Sequence, residues 1–112
     1  MKDSSSYALL NIYRPGKLTN SLGNYMIYFD NIPMCVGINN SGYAFKILKE
    51  GKFQVASRLL KDDSSVDLDI KFGQVYYVKS MVHWGMYKHL YNFKLEMVTV
   101  PKEQGEAEFS VI

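Results

Sequence analysis

At 112 residues and 12.9 kDa the chain has the length of one domain, enough to close a single core and too short for two. With 47% hydrophobic and 21% charged residues it is not wholesale disordered, and a net charge of +2 is too mild for a duplex-binding footprint, so no nucleic acid partner is expected. No apolar run approaches the roughly 20 residues that span a bilayer, so a soluble chain is expected, and the single cysteine, Cys35, excludes an internal disulfide and a cysteine-rich zinc site.

Residues 1–6 read as a flexible polar leader and 7–112 as one domain. Tyr7 to Tyr13 carries Ala8, Leu10 and Ile12 on one side and Leu9, Asn11 and Tyr13 on the other, which predicts a first strand that is central or covered on both faces. Arg14-Pro15-Gly16-Lys17 then breaks the ladder, because proline lacks a donor and glycine admits positive φ, and a polar loop runs to Asn24. Tyr25 to Asp30 resumes alternation through Ile27 and Phe29. Asn31-Ile32-Pro33 reads as a turn, Met34 to Ile38 as a short strand with Cys35 as a small buried hydrophobe, and Asn39 to Gly42 as a second turn. Tyr43, Phe45 and Ile47 alternate with Ala44, Lys46 and Leu48, and Glu50-Gly51-Lys52 turns the chain into a strand from Phe53 to Leu60.

Lys61 to Ser64 is read as a charged turn. Beyond it, Val66, Leu68 and Ile70 share one strand face while Asp67, Asp69 and Lys71 share the other, the pattern of a sheet wet on one side. After Gly73 a strand covers Val75 to Val82, a loop is expected from His83 to His89, and a last strand runs from Leu90 to Val98. From Pro101 the tail either opens a short helix, with proline and acidic residues in its first turn, or ends extended through Phe109 and Val111; Gly105 weighs against the helix. Short strands with frequent turn signals and no helical period predict an all-β antiparallel sandwich of about 7–8 strands.

With the strands placed, a series of elements covering residues 7 to 80 resembles a bacterial cell-envelope family of unknown function (domain of unknown function number twenty-eight forty-six). They are Tyr13-Arg14-Pro15, Val36-Gly37, Asn39-Asn40-Ser41-Gly42-Tyr43-Ala44-Phe45, Glu50-Gly51-Lys52-Phe53 and Gly73-Gln74-Val75-Tyr76-Tyr77-Val78. The run from Gly37 to Gly51 also looks like the hairpin of PEGA-type sandwich domains. The resemblance implies a β-sandwich facing the periplasm or exterior, and no activity. Many such proteins look like lipoproteins, so Lys2 to Ser6 would be a tether, with Met1 standing where an acylated cysteine would be. The location is then periplasmic or outer-membrane-anchored, and cytoplasmic if nothing precedes Met1.

No catalytic residue, cofactor or metal set is assigned from the residues. His83 and His89 are six apart, which fits neither a helix face nor a usual zinc spacing. Trp84 and Tyr87 between them are residue types favoured as binding anchors, so His83, Trp84, Tyr87 and His89 form the candidate contact loop, for an envelope protein or cell-wall glycan. Asp62, Asp63, Asp67 and Asp69 lack the spacing of a calcium loop and read as solvent-face charges. Arg14 to Lys17 lacks the glycine-rich length of a phosphate loop and reads as a charged turn. The tyrosines are expected to cap the core in preference to forming a sugar platform. Two competing readings are a small hydrolase using His83 or His89 with an aspartate, and a cytoplasmic or phage-derived structural protein that oligomerises through sheet edges.

Overall fold

The computed structural model describes residues 6–16, 24–59, 62–87 and 90–112, with only the backbone for 84–87 and 90–93. Eight strands, β1 (Ala8–Arg14), β2 (Tyr25–Phe29), β3 (Ile32–Gly37), β4 (Ser41–Ile47), β5 (Gly51–Leu59), β6 (Asp62–Ile70), β7 (Val75–Tyr87) and β8 (Leu90–Val100), precede one helix, α1 (Lys102–Phe109). They form two four-stranded sheets, in the orders β4-β1-β7-β8 and β3-β2-β5-β6, so the chain is an all-β sandwich. Every pairing is antiparallel except β1 with β7, which is parallel from Leu9↔Val75 to Tyr13↔Lys79. The leader, apart from Ser6, lies outside the described residues.

Period-two alternation builds the core. Ala8, Leu10 and Ile12 of β1, Val78 and Val82 of β7, and Leu95 and Met97 of β8 meet Tyr25, Ile27, Val55, Leu68 and Ile70 of the other sheet. Burying each large aliphatic side chain stabilises by about 1.5–3 kcal/mol against the chain entropy. On β6 the expected alternation holds, with Leu68 and Ile70 buried and Asp63, Ser65, Asp67 and Asp69 exposed.

β1 is central and covered on both faces, as its composition predicts. Its inner face is the core, and on its outer face Tyr13 is covered by α1. Phe109 meets the rings of Tyr13 and Tyr77 edge-on, with centroids 6.0 and 6.2 Å away. Glu108 accepts a hydrogen bond from Tyr13 Oη and pairs with Lys79 Nζ at 3.2 Å. Gly105 is buried because the Tyr77 ring occupies the space a Cβ would need. The helix therefore forms despite its glycine: contact with β7 decides over local propensity.

Several boundaries differ from the sequence reading. The β2–β3 turn is Asp30-Asn31, both at positive φ (49° and 65°), a tight primed turn that puts Ile32 and Pro33 into β3. Pro33 is tolerated because β3 is an edge strand, and the register against β2 slips beside it, from Ile27↔Cys35 to Tyr28↔Pro33. β4 begins at Ser41, inside the expected turn, and β6 begins at Asp62. The reason for the second difference is tertiary. Asp62 Oδ2 accepts the Leu95 N–H (2.5 Å) and Ser64 Oγ accepts the Met97 N–H (2.9 Å), so side chains of one sheet edge cap the amides of the other.

Candidate functional site

The expected contact loop is strand over most of its length. β7 and β8 pair without a break from Tyr77↔Val100 to Tyr87↔Leu90, which places His83, Trp84 and Tyr87 on ladder rungs opposite Lys94, Phe93 and Leu90. Gly85 and the two histidines suggest a loop locally, but pairing with the next strand of the hairpin overrides them. His89 and the side chains of Trp84 and Tyr87 lie outside the described residues.

Among the described residues the hairpin outruns its neighbours. β1 pairs with β7 only as far as Lys79, and Asp62 at the start of β6 reaches Leu95. The rungs from His83↔Lys94 to Tyr87↔Leu90 lie past both points, and a 13-residue strand is about 43 Å long at roughly 3.3 Å per residue. This agrees with overall dimensions of 57 × 28 × 19 Å. At the base of this arm His83 is exposed and its Nε2 lies 2.6 Å from Glu96 Oε1, on the outer face of the sheet. Both side chains are about half exposed, and neither described cavity includes them in its lining.

Cys35 is buried on β3 in the core, where burial pushes its thiol up to about 11. A sheet separates it from His83, so the structure does not bring the two together. Asp67 and Asp69 face solvent beside Gln54 and Lys52, lining an open groove of about 470 Å³ with Asp30. Among the described residues no three histidines, cysteines or carboxylates gather as a metal site. A second groove, about 390 Å³, runs between Gly16, Asn40, Lys79 and the C-terminal Val111 and Ile112.

Arg14 departs most from its sequence reading. Instead of standing in a charged turn it is buried at the end of the inner face of β1, where Nη1 donates to the Gly37 carbonyl (2.8 Å) and the guanidinium lies 4.9 Å from the Tyr25 ring centroid. Burial lowers its pKa, and burial raises that of Tyr25, whose hydroxyl pairs with Ser80 Oγ at 2.7 Å. Gly37 has to be glycine, since a Cβ there would fall 2.6 Å from the Tyr25 ring. The signal was present: Arg14 continues the Ala8, Leu10, Ile12 periodicity by one more step. The described tyrosines divide: Tyr25 lies in the core with Tyr43 and Tyr76 packed against it, whereas Tyr13 and Tyr77 are buried on the outer face against Phe109 of α1. Tyr76 Oη accepts the Lys71 N–H (2.9 Å) and donates to the Asp69 carbonyl (3.0 Å), fastening the turn between β6 and β7.

Searches against family models, curated proteins and solved structures return no match to this chain.

Proposed function

We propose that this chain is a noncatalytic β-sandwich module of the cell envelope that holds a partner, an envelope protein or cell-wall glycan, with the far end of its β7–β8 arm. The supporting observation is that this ladder continues for five rungs, His83 to Tyr87, past the last partners of the flanking strands. A strand pair needs a sheet face or another chain to be stable in water, so an arm rich in Trp, Tyr, Phe and Met is suited to bind something. The envelope location rests on the resemblance of the pattern over residues 7 to 80.

The test is a capture experiment with the whole chain, from a solubilised envelope fraction and on isolated cell-wall glycan. Trp84→Ala with Tyr87→Ala should abolish a specific capture from one of the two while leaving the melting temperature within a few degrees. Capture identical to wild type on both would refute the reading.

A further inference from the structure

The four sheet edges are not equivalent. β8 is capped by Asp62 and Ser64, through the amides of Leu95 and Met97. β6 lies against it and shows Asp63, Asp67 and Asp69 to solvent. β3 carries Pro33 and a register slip, both of which oppose further pairing. β4 has none of these. It pairs with β1 over seven unbroken rungs, Ala8↔Ile47 to Arg14↔Ser41, and among the described residues nothing pairs with its other side. Its one charged residue, Lys46, sits on the outer face with its ammonium 5.0 Å from the Tyr7 ring centroid.

Exposed apolar side chains also flank β4 in the chain. Among the described residues the exposed large hydrophobics are Ile32, Val36, Ile38, Leu48, Val111 and Ile112. Ile32 and Val36 are on β3, Ile38 and Leu48 bracket β4, and Val111 and Ile112 share a groove with Asn40 at the start of β4. Among the described side chains, the opposite side, where β6 meets β8, has none.

We propose that β4 is a dimerisation edge that pairs antiparallel with β4 of a second copy about a two-fold axis at Ala44. The occupant follows from the strand's own pattern. With Ala44 on the axis, Tyr43 of each copy faces Phe45 of the other, Lys46 faces Gly42, and like charges never meet. Leu48, 73% exposed, faces Asn40, which brings it beside the partner's groove walls at Val111 (79% exposed) and Ile112. The result is a continuous eight-stranded sheet in which the exposed residues at both ends of β4 are covered. This pairing is independent of the arm at the far end of β7 and β8.

Sedimentation equilibrium of the whole chain from micromolar to millimolar concentration tests it. Wild type should form a dimer. Ala44→Lys places two ammonium groups face to face on the axis, and Leu48→Asp removes the flanking contact; each should raise the dimer Kd by about tenfold or more. Val36→Lys, on β3, should leave it unchanged. A wild type that stays monomeric at millimolar concentration overturns the proposal, as does an Ala44→Lys protein that melts normally and dimerises like wild type. If Ala44→Lys fails to fold, an unchanged Kd in Leu48→Asp overturns it equally.

Discussion

Gly105→Ala sets two physical effects of opposite sign against each other. In an exposed helix interior the change stabilises by about 1 kcal/mol, because alanine loses less backbone entropy. Here the new Cβ would fall on Cβ and Cγ of Tyr77, closer than real Cβ atoms approach, and the Tyr77 ring also meets Phe109 of the same helix edge-on. Overpacking of this kind costs about 1–3 kcal/mol. Relief by lifting α1 would also weaken the edge contacts of Phe109 with Tyr13 and Tyr77, each worth about 0.5–1.5 kcal/mol. The expected net is a loss of about 2 kcal/mol, which for a domain of this size lowers Tm by roughly 8 °C or more. Calorimetry of Gly105→Ala beside Gln104→Ala, an exposed position on the same helix, measures it. The control should stay within about 0.5 kcal/mol of wild type. A Gly105→Ala protein that melts higher than wild type would refute the packing of α1 on Tyr77.

Two further outcomes are expected. The hydrogen bond from Tyr13, then the Lys79 ammonium, hold Glu108 below the usual carboxylate range. A depressed folded pKa means that its contribution is complete above the unfolded value near ~4.3 and is lost as pH falls through the folded one. Glu108→Gln should therefore be less stable than wild type at neutral pH by about 1 kcal/mol, discounted for its partial exposure, with the gap closing in acid; urea titrations at several pH values read this directly. Tyr25→Phe leaves the buried Ser80 hydroxyl without its 2.7 Å partner and should cost about 1–3 kcal/mol, while Tyr25→Phe with Ser80→Ala should recover part of it. A double-mutant cycle with no coupling would mean that the two hydroxyls do not interact.

What the sequence made legible was whatever depends on alternation alone. The Val66, Leu68, Ile70 face, the doubly covered β1 and the sandwich class all follow from counting by two. The helix was open between two readings, since Pro101 favours it and Gly105 opposes it, and a ring on a distant strand decides. The misread segments share one cause: their fate is set by partners outside the segment itself. Asp62 and Ser64 have turn chemistry, yet they bond amides 33 residues away. His83 to Tyr87 looks like a loop until Leu90 to Lys94 pairs with it. The candidate site was legible only as residue types, because the outward reach of an arm is a relation between strand lengths.

The parallel pairing of β1 with β7 also constrains the order in which the chain can fold. Within the sheet β3-β2-β5-β6, two neighbour pairs are hairpins or short connections that form as soon as their residues exist. β1 is the first strand made, but Leu9 has its parallel partner at Val75, 66 residues later. Its antiparallel partner β4 is made much earlier, so β1 gains one neighbour early while its β7 side waits for loop closure over the longer distance. During synthesis the β7 side of β1 is thus an open strand edge for longer than the edges closed by the β2–β3 and β5–β6 hairpins, and more exposed to aggregation.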